Sequence, residues 1–288
     1  MNNQISSMTE IIEKFVAVSE TSLLMELNAH PKPGLITPFS NGSHSDMNYH
    51  TMLSSIRSIS NSFSCLPYDF FSFIELKDYD TSAKIIRDFG INVEKNMLKA
   101  TGGINTHKGA IFLLLVLLAG CLIAPFSWSH ALKASGAFAK FLPQYKFELY
   151  EYEATTGNMA KKCFGLGGIK EEVSFCFPTI SSNILSFINE WDLMDKNLCV
   201  VMNLIRNMSI AEDTTLLNRN FDLSLLYLIQ EKSREVIIEI NNNISCFYDS
   251  IQRLNFFCSE LNVSPGGSAD LTIATIFTSL WFGEIDAL

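Results

Sequence analysis

Residues 109–128 carry no charged side chain, and 111–118 are apolar throughout. A stretch of this kind has to be kept from water, either in lipid or in the middle of a protein. Its length lies at the lower edge of what a spanning helix needs. Gly109, Gly120 and Pro125 interrupt it, and a polar motif stands directly before it. These features predict a buried central helix and no membrane partner, and they make the rest of the chain a shell around it.

That shell reads as helical. Ser7-Met8-Thr9-Glu10 has the form of a capping box, and Ile11, Ile12, Phe15, Val16, Leu23, Leu24 and Leu27 follow at three- and four-residue steps. A second helix is predicted from Asp46, with Tyr49, Met52, Leu53, Ile56 and Phe63 on one face. A third carries Ile85, Ile86, Phe89, Val93 and Met97 across Gly90. Further apolar stripes run through 128–142, 180–194, 198–208, 223–240, 244–261 and 268–282, and the asparagines at 241–243 form either a turn or a polar helix face. Period-two alternation is scarce and strands do not alternate with helices. The expected fold is all-α, a single multi-helix domain over 1–288 packed round the central helix.

With 48% hydrophobic residues and 18% charged, the chain has the composition of a folded globule. A net charge of −9 argues against nucleic acid as a partner, because that surface needs cations to replace counterions. It leaves room for a small phosphorylated ligand in a local basic pocket. The seven cysteines show no CxxC pair and no zinc-type Cys–His spacing, which reads as buried free thiols in a reducing cytoplasm. The first residues lack the basic-then-apolar order of a signal peptide.

Function is expected where the helical pattern breaks. Five polar islands stand out: 30–35 running on to 41–47, 101–109, 165–172, 212–214 with Arg219, and 264–271. In the second and fifth, adjacent glycines (Gly102-Gly103 and Gly266-Gly267) precede a helix start, an arrangement that aims backbone N–H groups and a positive dipole end at an anion. The alternative is an ordinary tight turn. The spacing is not that of a P-loop. Lys32, Lys108, Lys170 and Arg219 are the island cations, either surface charges or phosphate contacts. Asp46, Asp213 and Asp270 fall at predicted helix starts, which fits N-capping, magnesium binding or activation of a hydroxyl. His44 and His107 sit in polar motifs, suited to a ligand hydrogen bond or to structural pairing.

Together, PKPGL at 31–35, NGSHSDM at 41–47, TGGINTHKGAIF at 101–112 and SPGGSADL at 264–271 resemble, in order, the motifs of the triphosphoribosyl-dephospho-CoA synthase (CitG-type) family. Glu94, Met97, Asp213-Thr214 and Arg219 extend the likeness over nearly the whole chain. The resemblance implies an all-helical transferase that moves the 5-triphosphoribosyl group of ATP to the ribose 2′-hydroxyl of 3′-dephospho-CoA and releases adenine. It implies Mg2+, and a product that serves the acyl carrier protein of citrate lyase or malonate decarboxylase. A homo-oligomer is left open. On this view Asp46, Asp213, Asp270 and His107 are the catalytic candidates, the three aspartates also being the metal candidates. Lys32, Gly34, His44, Gly102, Gly103, Asn105, Thr106, Lys108, Lys170, Thr214, Arg219, Ser264, Gly266, Gly267 and Ser268 are the substrate-binding set.

Three departures from the family pattern bear on acceptor choice. Thr37-Pro38 stands where members carry an acidic and often a basic residue. Gly168-Ile169-Lys170-Glu171-Glu172 replaces Gly-Ala-Arg-Gly-Glu, so a bidentate arginine becomes a lysine. Arg219-Asn220-Phe221 replaces Arg-Gly-Gly. A family member with another acceptor, or a nucleotide-binding paralogue without catalysis, are the alternatives.

Overall fold

Residues 2–142 and 155–287 are described by a computed structural model. Among them are thirteen α-helices and no strand: α1 Asn2–Asn28, α2 Tyr49–Phe63, α3 Tyr68–Glu75, α4 Tyr79–Ala100, α5 Lys108–Ile123, α6 Trp128–Ala139, α7 Thr156–Phe164, α8 Gly168–Ser174, α9 Pro178–Trp191, α10 Lys196–Ile210, α11 Leu223–Asn242, α12 Phe247–Glu260 and α13 Gly266–Trp281. The architecture is the expected all-α single domain, and two short 3-10 turns, Thr214–Leu217 and Ile244–Cys246, complete it.

The apolar stretch becomes α5, and its residues from Leu113 to Cys121 are all buried, so the helix has no solvent face and runs through the middle of the fold. No single described helix is long and apolar enough to cross a membrane. Only α5 and α6 taken together reach that composition, and they are bent 113° apart at the break around Pro125. Around α5 lies one hydrophobic core, with Phe15, Phe63, Phe70, Val93 and Phe138 at its centre. A second core surrounds α10, with Phe187, Trp191, Ile205, Ile229 and Phe247. Three helices belong to both. From α9, Ile180 and Ile184 enter the first core and Phe187 and Trp191 the second. From α1, Phe15, Leu23 and Leu27 enter the first core and Met25 the second. From α13, Leu271, Ala274 and Phe277 enter the first, and Ala269 and Ile276 the second. These shared helices fix how the two halves face each other.

Caps set the boundaries. Asn48 closes a capping box with Thr51, Asp78 caps α4, Ser127 caps α6 and Asp195 caps α10. Several expectations change. The helix predicted from Asp46 begins at Tyr49, since Asn48 takes the cap. The Ser7–Glu10 box lies inside α1, which already runs from Asn2, so those residues cap nothing. Helices α3, α7 and α8 had no long apolar stripe to betray them. Asn243 ends α11 and caps the turn beyond it, so the asparagine cluster is both a helix end and a turn. Of the cysteines, Cys121, Cys199 and Cys258 are buried as expected, whereas Cys65 and Cys163 are exposed. Cys65 lies in the turn after α2, and Cys163 lies on the outward side of α7. The last few residues of the predicted 128–142 stripe lie beyond α6 in a short turn.

Candidate active site

Between the two cores opens a cavity of about 910 Å3, at the upper end of the usual range for small-molecule sites. Four of the polar islands reach it through the loops before α2, α5, α8 and α13, and the fifth through the 3-10 turn. Of the residues singled out from the sequence, Lys32, His44, Asp46, Gly103, Asn105, Thr106, His107, Lys108, Lys170, Thr214, Arg219, Ser264, Gly266 and Asp270 line this one cavity. Gly34, Gly102, Asp213, Gly267 and Ser268 do not.

The deep wall is acidic and buried. Glu26 on α1 is 3% exposed, and so is Lys32. The Lys32 ammonium donates to the Glu26 carboxylate and to the Glu26 carbonyl, both at 2.6 Å. Burial pulls the Lys32 pKa down while the Glu26 charge opposes that shift. Asp270 lies one turn into α13 and faces the first turn of α5, where the Ala110 N–H donates to it. Gly109 makes this approach feasible: a Cβ there would meet the Asp270 carboxylate at 2.0 Å. Burial, and then the neighbouring Asp213 and Glu26 charges, raise the Asp270 pKa well above the ordinary carboxylate range.

Asp213 behaves differently. Its carboxylate is buried and accepts from the N–H and hydroxyl of Thr215, the N–H groups of Gly267 and Ser268, and the hydroxyl of Ser268, at 2.5–3.1 Å. The positive end of α13 is therefore filled by the protein's own anion. This corrects the reading of Gly267 and Ser268 as a phosphate cradle and of Asp213 as a free ligand: their donors and acceptors are spent on each other. Gly267 is glycine because a Cβ would stand 2.6 Å from an Asp213 oxygen. Gly34 is likewise a packing residue, its Cβ position lying 2.5 Å from the Val263 carbonyl. Gly102 turns the chain at positive φ with open space around it.

The outer wall is cationic and exposed. Lys108 opens α5, its N–H held by the Asn105 side chain and its ammonium 3.3 Å from Glu94. Arg219 donates to the Asn262 carbonyl and reaches His44 Nδ1 at 3.1 Å. The other His44 nitrogen meets Ser264 at 2.8 Å, and Asp46 stands 3.5 Å away, exposed. Burial and the Arg219 charge lower the His44 pKa, so the ring is neutral between Arg219 and Ser264. Lys170 on α8 and Lys161 on α7 add two more cations. Asp46 thus belongs to the rim and Asp213 lies behind the wall. The three aspartates do not form a ligand set, and among the described residues no group of three or more His, Cys, Asp or Glu is placed to hold a metal. The three metal candidates therefore do not share one ion: Asp46 and Asp270 line opposite walls of the cavity and Asp213 lies outside it.

His107 is 2% exposed and lines the deep wall. Its Nδ1 lies 2.7 Å from Ser55 Oγ, and Thr106 donates to the same hydroxyl. Burial lowers its pKa to about 3, which rules it out as a proton carrier near neutrality. Sequence reading missed Glu26 and Lys161, which also line the cavity. The signal for Glu26 was present, a lone acid inside the apolar run Leu23-Leu24-Met25-Glu26-Leu27. Lys161 lies on a helix that periodicity did not reveal.

The cavity thus holds a buried Glu26 and a half-buried Asp270 within and cations at its mouth, and glycine-rich loops on an all-α frame build it. Residues 13–284 match the model of the CitG family, described as ATP:dephospho-CoA triphosphoribosyl transferase, and the chain belongs to that family. It is 30% identical over 270 residues to Protein CitXG of Haemophilus influenzae, which covers 89% of this chain; the chain spans 57% of that relative's length. No solved structure matches it.

Proposed function

We propose that the protein transfers the 5-triphosphoribosyl group of ATP to the 2′-hydroxyl of 3′-dephospho-CoA. The observation that carries this reading is the polarity of the cavity. Phosphates belong at the mouth, with Lys108, Lys170 and Arg219, where cations are exposed and a triphosphate meets no buried carboxylate. The ribose belongs inside, where Glu26 and Asp270 favour positive charge.

That is the charge the reaction develops. The C1′–N9 bond breaks with its electron pair going to the purine, and the ribose passes through an oxocarbenium-like state. The acceptor 2′-oxygen forms the new C1′–O bond and gives up its proton, and adenine takes up one proton as it leaves. Asp270 is the proposed base. Its raised pKa makes it a stronger base than an ordinary carboxylate. Asp213 has no oxygen to spare for the task, and Asp46 stands at the rim. Glu26, fixed by Lys32, supplies the standing negative charge opposite the ribose. Mg2+ enters as part of the ATP substrate, carried by its phosphates. The family name supports ATP and dephospho-CoA as the substrate pair, and the resemblance supports delivery of the product to an acyl carrier protein of citrate lyase or malonate decarboxylase in the cytoplasm.

Incubation with Mg-ATP and dephospho-CoA, followed by mass spectrometry, tests the reading. Free adenine together with a triphosphoribosylated dephospho-CoA is expected. Adenine release only with a different acceptor would move the reading to the divergent member that the lysine at 170 suggests. ATP binding without any adenine release would reduce the protein to a nucleotide-binding paralogue.

A further inference from the structure

Four residues with buried side-chain polar atoms lack a partner among the described residues: Ser19, Ser60, Asn203 and His107. Only His107 lines the cavity. The unpartnered atom is Nε2, and the opposite side of the ring is held tightly. Thr106 Oγ1 donates to Ser55 Oγ at 2.7 Å, and Ser55 Oγ lies 2.7 Å from His107 Nδ1. Met97 Sδ also lies 3.0 Å from Thr106 Oγ1, but a thioether is the weaker acceptor. Ser55 Oγ receives the Thr106 hydrogen and has no acceptor other than Nδ1 among the described residues, so its own hydrogen is directed to Nδ1. A neutral imidazole carries a single N–H, so that hydrogen sits on Nε2.

We infer that His107 is held in the Nε2–H tautomer to donate to a ring nitrogen of the departing purine, with Ser55 and Thr106 as positioning residues. This rests on the transfer reaction proposed above. The elements that hold His107 also bring apolar cavity wall: Met52 lies one turn before Ser55 on α2, and Ile104 lies in the same loop as His107. A flat base fits an apolar wall with one fixed donor. As the C1′–N9 pair moves onto the purine, negative charge collects on N3 and N7, and a hydrogen bond to either strengthens in the transition state. Burial first, and then the nearby Lys32 charge, keep the ring from taking a second proton.

The experiment compares ATP with 3-deaza-ATP and 7-deaza-ATP, each lacking one acceptor nitrogen. In the wild-type protein one analogue should turn over about tenfold more slowly than the other, and in His107→Phe that difference should shrink to roughly twofold. His107→Gln, which keeps a donor, should restore part of it. Equal discrimination in wild type and His107→Phe overturns the inference. So does 15N NMR of the wild-type protein if it shows a hydrogen on Nδ1 of His107 or a titration near pH 6.5. Ser55→Ala should mix the two tautomers without unfolding the chain. If ATP yields no adenine with any acceptor, the reaction reading fails by itself, and the analogue comparison is then read as Kd by calorimetry, where equal affinities for the analogues overturn the histidine's role as well.

Discussion

The inner and outer walls of the cavity are built on opposite principles. Inside, most ionisable groups are held before a ligand arrives: Lys32 by Glu26, Asp213 by the start of α13, and the Nδ1 side of His107 by Ser55. Asp270 alone is left under strain, a carboxylate beside other carboxylates with one backbone N–H for company. Outside, the cations are exposed and loosely tied, Lys108 to Glu94 and Arg219 to His44 and Asn262. On the proposed reaction, the buried and fixed groups would act on the chemistry, and the solvated ones that can exchange partners would act on capture. Electrostatics in a dry wall is strong and unforgiving, and at a wet rim it is weak and screened.

The largest expected effect comes from removing the strained carboxylate. Asp270→Asn should lower kcat by about 10²–10⁴ while leaving the fold intact. It should also raise stability at pH 8. A carboxylate whose folded pKa is raised contributes stability that is fully present below the unfolded value and is lost as pH rises through the folded one. Thermal melts of the two proteins at pH 5 and pH 8 check this, and an active Asp270→Asn enzyme would erase the distinction between the walls. Next, Lys32→Met strands Glu26 without its partner. Urea unfolding should show a loss of about 3–5 kcal/mol, and a mild effect would mean that the deep wall is wetter than the burial indicates.

A third test uses pH alone. The His107 pKa is depressed to about 3, so the unfolded chain takes up a proton below the ordinary histidine value that the folded chain refuses. Stability from this residue is present above pH 6.5 and drains as pH falls toward 3. His107→Phe should remove a slope of roughly 1.4 kcal/mol per pH unit over that window, measured as unfolding free energy against pH. The smallest effect belongs to the rim. Lys108→Ala should raise KM for ATP about 3- to 10-fold with kcat little changed, and the difference should fade as salt rises. A salt-independent loss of kcat would place Lys108 with the inner group.

Much of this was legible in the chain. The uncharged run at 109–128 pointed to the central helix, because a stretch of that composition has to be kept from water and its glycines, proline and polar flank favour a protein interior. The five islands named the loops that meet at the cavity, since glycine, proline and polar residues gather where helices stop. Glu26 was hidden in plain view, because a charge within an apolar stripe has meaning only once its partner is known, and Lys32 lies across a turn that periodicity does not describe. Asp213 and Asp270 look alike in sequence, each near a predicted helix start. The structure separates them: one caps the helix that carries the other.

By itself the sequence determined the helical class, the order of the motifs and the chemistry on offer, because those follow from local periodicity and residue type. Tertiary structure alone decided which groups are spent and which are free. That depends on distances between residues as far apart as Glu26, Ser55, Asp213 and Gly267, and on how much water the two packed cores leave around each one.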